Sequence, residues 1–117
     1  MPGISIHVVD VAYGKPAGGM FVEVHALDRD NRRVVGTGVV GDDGVFHHPM
    51  NSGEGVAAGI HEVLLHAGEY FPFVGQVRDR PAFQELVPLR FTVLDANDHY
   101  HLPIKISPWG ISVWRGA

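Results

Sequence analysis

Between His99 and Ile106 the chain alternates without a break: Tyr100, Leu102, Ile104 and Ile106 are separated by His99, His101, Pro103 and Lys105. Successive side chains of an extended strand point to opposite faces, so this stretch predicts one apolar face and one face bearing two imidazoles and an ammonium. The same period of two recurs upstream. Ile4, Ile6 and Val8 alternate with Ser5, His7 and Val9, which places His7 opposite the isoleucines. Met20, Val22, Val24 and Ala26 share a face against Phe21, Glu23 and His25. Further strands are predicted over Val34–Val40, Val45–His48 (stopped by Pro49), Gly59–Leu65, Leu86–Leu94 and Ile111–Trp114. Ser107-Pro108-Trp109-Gly110 supplies the turn before the last of these. Ala67–Val74 is compatible with a helical turn limited by Pro72, and Gln76–Pro81 reads as a polar connection. Eight short strands separated by Gly, Pro, Asn and Asp clusters predict an all-β sandwich.

Composition narrows this picture only modestly. With 117 residues, 45% hydrophobic and 19% charged, the chain has the make-up of one globular domain, spanning 1–117. A net charge of −4 argues against nucleic acid as a partner, since phosphate neutralisation needs a basic surface. The basic cluster Arg29–Arg33 contains Asp30 and Asn31 and reads as a solvated hairpin tip. No apolar run approaches the ~18 residues of a membrane span. Without cysteine there is no thiolate or disulfide chemistry, which fits a cytoplasmic setting.

Several letter patterns have structural explanations. Gly36-Thr37-Gly38-Val39-Val40-Gly41 spells a dinucleotide fingerprint, but no helix fits after it to receive a pyrophosphate. Asp42-Asp43-Gly44 is turn chemistry. Of the eight histidines, His25, His61 and His66 have no partner evident in the sequence and read as surface or satisfied side chains. His99 and His101 differ, because positions i and i+2 share a strand face. Three readings stay open for them: zinc, with His7 as third ligand; metal-free acid–base catalysis by groups that titrate near neutrality; or no chemical role.

Two stretches also resemble the signatures of the transthyretin superfamily, in particular the 5-hydroxyisourate hydrolases. His7-Val8-Val9-Asp10, Gly14-Lys15-Pro16-Ala17 and Met20-Phe21-Val22 are similar to the first signature. Tyr100-His101-Leu102-Pro103 through Ser107-Pro108-Trp109-Gly110 is similar to the second, and Gly68-Glu69-Tyr70-Phe71 falls where the family has its short helix. The resemblance implies a transthyretin-like, eight-stranded antiparallel β-sandwich with one short helix. It further implies a homotetramer, a dimer of dimers whose central channel holds the sites. The expected substrate is a small heterocycle, opened at a cyclic amide without cofactor or metal.

By position, His7 and His101 match the two family histidines and become the expected catalytic pair. The terminal tetrapeptide Trp114-Arg115-Gly116-Ala117 stands where the family has Tyr-Arg-Gly-Ser, and with Val45 and His99 it is expected to line the substrate site. Val45 follows Asp43-Gly44 where the family carries an arginine, and Ile111 replaces an aromatic residue. No valine supplies the planar, permanently charged donor of a guanidinium, and losing one donor aimed at developing charge costs roughly 10²–10³ in rate. A different, more apolar ring, a non-hydrolytic proton transfer, or ligand binding without catalysis are therefore the alternatives.

Overall fold

The computed structural model describes residues 2–75 and 81–116; the connection expected over Gln76–Pro81, Pro81 apart, and the terminal Ala117 lie outside them. The described strands are β1 (Gly3–Asp10), β2 (Lys15–Pro16), β3 (Phe21–Asp28), β4 (Asn31–Val39), β5 (Gly59–Leu65), β6 (Val87–Val93), β7 (His99–Ser107) and β8 (Gly110–Val113), with one helix, α1 (Ala67–Phe73). They form two four-stranded sheets, ordered β2-β1-β7-β8 and β4-β3-β5-β6.

The alternation in the sequence places the core. Ile4, Ile6 and Val8 of β1 and Tyr100, Leu102, Ile104 and Ile106 of β7 are buried, facing Val22, Val24, Val63 and Leu65 of the second sheet. Each such aliphatic side chain contributes on the order of 1.5–3 kcal/mol by leaving water. Met20, Phe46 and Met50 complete the core from connecting segments. A buried hydrogen bond of 2.9 Å from the Tyr70 hydroxyl to Asp10 ties α1 to the end of β1. Burial and that neighbouring carboxylate both push the Tyr70 hydroxyl well above the ordinary phenol value.

Three features depart from the sequence expectation. Val45–His48 is not a strand. Gly44 turns the chain at φ +84°, and only Val45 bridges to His7 before a 3-10 turn begins at Pro49. The eighth strand is instead the two-residue β2. Secondly, the sandwich is not wholly antiparallel: β1 and β7 run parallel, with Ser5 opposite His101 and His7 opposite Pro103. This pairing joins segments remote in sequence, which no local pattern encodes. Thirdly, a bulge between Val24 and His25 shifts β3 against β4, so Ala26 leaves the fully buried row of Met20, Val22 and Val24.

The dinucleotide-like glycines lie on β4 and before the turn that follows it. A Cβ at Gly36 would collide with the His48 ring and the Met50 side chain, so the glycine is there for packing. Of the Arg29–Arg33 segment only Arg29, at φ 55°, and Asp30 form the β3–β4 hairpin tip; Asn31, Arg32 and Arg33 already belong to β4, paired with Asp28, Leu27 and Ala26.

Candidate active site

Register alone builds a grid on the outer face of the β2-β1-β7-β8 sheet. Pairing of β7 with β8 matches Ile104 to Val113 and Ile106 to Ile111, and the isolated bridge His101–Gly116 continues the same register. Pro103 therefore stands opposite Trp114. Having no N–H, it cannot donate across the ladder, which is interrupted there and resumes with the 2.7 Å bond from Gly116 N–H to the His101 carbonyl. One row across the face is thus Val45, His7, Pro103 and Trp114, and the next is Ser5, His101 and Gly116. Lys105 belongs to a third row, and its Nζ lies 5.6 Å from the Trp114 ring centroid.

His7 and His101 are diagonal neighbours on adjacent strands, so their side chains leave the sheet roughly 8 Å apart given ordinary strand spacings. That separation accommodates a water and the carbonyl it attacks. His7 donates from Nε2 to the Asp43 carbonyl at 3.2 Å, and Gly44 passes so close that a Cβ there would meet the same ring at 2.8 Å. At Gly116 a Cβ would meet Cδ2 of His101 at 2.9 Å and Cγ of Pro103 at 3.1 Å. Glycine at 116 is thus what lets the returning chain lie against the imidazole.

Burial holds the His101 imidazole below its ordinary pKa, and His99 and His7 add repulsion of the cationic form. His101 is therefore largely neutral at pH 7, the form in which it can accept a proton.

The residues expected at the site fall into separate places. His7, Val45, His101, Trp114 and Gly116 share the outer face. His99 shares it too but is turned inward along the strand pair: its Nε2 is 2.8 Å from Ser5 Oγ and its Nδ1 3.3 Å from the Pro2 carbonyl. Arg115 is directed to the other side of the chain, donating to the His99 carbonyl at 3.2 Å with its guanidinium carbon 4.2 Å from the Tyr100 ring centroid. Ala117 lies outside the described residues. Ser5, whose Oγ is 2.7 Å from His101 Nδ1, was not among the expected residues. Its signal was its position two residues before His7, on the same strand face. The zinc arrangement of His7, His99 and His101 is not built, since among the described residues no three His, Asp or Glu side chains converge on a common point.

The fold has known counterparts. The profile of the HIUase/Transthyretin family matches residues 4–116, and the chain belongs to that family. It is 42% identical to 5-hydroxyisourate hydrolase 2 of Rhizobium meliloti (strain 1021) over 97% of this chain and 95% of that one. It is 37% identical to the 5-hydroxyisourate hydrolase of Deinococcus radiodurans over 99% and 97%. Among solved structures, Klebsiella pneumoniae 5-hydroxyisourate hydrolase superposes with a TM-score of 0.76 at 25% identity, covering 100% of both chains. An (S)-allantoin synthase superposes with a TM-score of 0.86 at 31% identity over 98% of this chain, which spans 43% of that longer one.

Proposed function

We propose that this chain is a hydrolase that opens the ring of 5-hydroxyisourate, with His101 and His7 as its acid–base pair. The observation that carries the reading is the placement of two imidazoles, one neutral by burial, on one open strand face beside Pro103. His101 Nε2 removes a proton from water as the oxygen adds to a ring carbonyl. The amide C–N bond then breaks, and the departing nitrogen takes up a proton. His7, its Nε2–H held by the Asp43 carbonyl and its ring crowded by Gly44, hands that nitrogen the proton that His101 took from water, received and released at Nδ1, so both imidazoles end the cycle neutral. No metal or cofactor enters either step.

Val45 and Trp114 give the site two apolar walls. Within the same reaction class, those walls favour a second reading in which the ring accepted is a more apolar relative of 5-hydroxyisourate. Because the imidazole face is open in a single chain, its enclosure falls to a facing copy. We accordingly read the working form as a homotetramer, a dimer of dimers with sites in the channel between dimers. We read the setting, from the family resemblance, as cytoplasmic purine breakdown after urate oxidation.

The deciding assay follows the ultraviolet decay of freshly generated 5-hydroxyisourate with purified protein. Acceleration well above buffer is expected; decay at the buffer rate would overturn the assignment of this substrate.

A further inference from the structure

A neutral imidazole carries one proton shared between two candidate nitrogens, so His101 acts as a base only if that proton stays on the right one. The contacts behind His101 decide the matter by elimination. The Pro2 carbonyl can only accept, so His99 Nδ1, 3.3 Å away, carries the proton of its ring. In the neutral ring His99 Nε2 is then a lone pair, 2.8 Å from Ser5 Oγ. The hydroxyl has one proton, and it goes to that lone pair. Ser5 Oγ is left as an acceptor toward His101 Nδ1 at 2.7 Å, which fixes the proton of His101 on Nδ1 and leaves Nε2 as the free base.

We propose that Ser5 and His99 are positioning residues that hold His101 in the Nδ1–H tautomer through the relay Pro2 carbonyl, His99, Ser5, His101. This rests on the reading of His101 as the base in ring opening, and it gives His99 a place behind the base rather than against the substrate. The relay follows from the parallel pairing, which sets Gly3 beside His99 and Ser5 beside His101. Its chemistry differs from orientation by a carboxylate. A carboxylate both orients an imidazole and raises its pKa by stabilising the cation. A hydroxyl held by another neutral imidazole orients without supplying negative charge, so His101 keeps its direction while remaining neutral. When Nε2 takes a proton from water, the Nδ1–H bond to Ser5 becomes charge-assisted and shortens. No proton has to move along the relay.

The test has a structural and a kinetic arm. Long-range proton–nitrogen correlation spectra of the ¹⁵N-labelled full chain, without substrate, should show His101 as the Nδ1–H tautomer at neutral pH. In Ser5→Ala the His101 signals should move toward the Nε2–H tautomer. With 5-hydroxyisourate, Ser5→Ala should lower kcat by about 10–100-fold with KM within about threefold, and Ser5→Thr, which keeps the hydroxyl, should recover most of kcat. An Nε2–H tautomer in the unmodified chain, an unchanged kcat in Ser5→Ala, or a failure of Ser5→Thr to do better than Ser5→Ala would each overturn the relay. The spectra read the tautomer whether or not the protein turns over 5-hydroxyisourate, so failure of the substrate assignment is separable from failure of the relay.

Discussion

On the outer face of the β4-β3-β5-β6 sheet, Glu23 accepts from both His25, at 3.1 Å, and His66, at 2.6 Å. On the outer face of the other sheet, His7, His99 and His101 hydrogen-bond to main-chain carbonyls and one serine hydroxyl. The residue type is the same and the electrostatics are opposite. Hydrogen bonds from His66 and His25 hold the Glu23 carboxyl below its ordinary range, a cluster that stabilises its own charges. Across the molecule, burial and neighbouring imidazoles push His101 the other way, toward neutrality. The same sheet that carries Glu23 also satisfies Glu62 with Arg32 at 2.9 Å and Arg90 at 3.1 Å. A histidine facing a carboxylate is committed as a hydrogen-bond donor to it; one without that partner is left able to take a proton. Which partner a histidine meets, more than how many histidines there are, separates the structural face from the chemical one.

The comparison is broken most severely at the base. His101→Asn should lower kcat on 5-hydroxyisourate by about 10³-fold while leaving the melting temperature within a few degrees, because the side chain lies on the outer face and its loss opens no core cavity. In the unmodified enzyme the acid limb of kcat/KM should lie below the ordinary imidazole value of 6.5, with activity lost as pH falls through the lowered pKa of His101. A limb above that value would contradict the neutral base.

Gly116→Ala comes next in size. The added methyl must displace the His101 ring or Pro103, so kcat should fall by about 10–100-fold, chiefly through misorientation. A crystal structure of the variant with an unmoved imidazole, or undiminished turnover, would show that the close approach is idle.

The smallest effect belongs to the other face. Glu23→Gln should leave kcat within about twofold and cost about 1 kcal/mol in denaturant unfolding at pH 7. The carboxyl pKa is lowered in the folded state, so its contribution is present above the ordinary carboxylate range and disappears as pH falls through the folded value. Unfolding curves of variant and parent should therefore converge in acid; a gap that persists there would point to packing instead.

Much of this was legible in the chain. The alternation from Tyr100 to Ile106 gave the buried face of β7 residue by residue, and that around Ile4 to Val8 did the same for β1. The opposite faces then had to carry His7, His99 and His101. What was not legible depends on contacts across the fold. Val45–His48 has the composition of a strand, but Phe46 is drawn into the core and Asn51 bonds back to the Phe46 carbonyl, so the segment is spent on packing. Glu23 lies 43 residues from His66, and neither residue announces the other. His61, read as surface or satisfied, is 1% exposed with Nδ1 donating to the Gly59 carbonyl. Arg115 was grouped with Trp114 and Gly116 by the family resemblance, although alternation along the terminal segment turns it to the opposite face.

The parallel pairing of β1 with β7 also has a consequence in time. Ser5 and His101 are 96 residues apart, and a chain made at ~5–20 residues per second separates their appearance by roughly 5–20 s. Through that interval β1 is without the neighbour that covers its long edge, and His7 and Ser5 are ordinary side chains. The proposed base, its contact with the waiting Ser5 hydroxyl and the closure of the sheet then arrive together with one late strand. On the proposed roles, a nascent or partly folded chain therefore has no diluted version of the activity: turnover cannot precede the last long pairing.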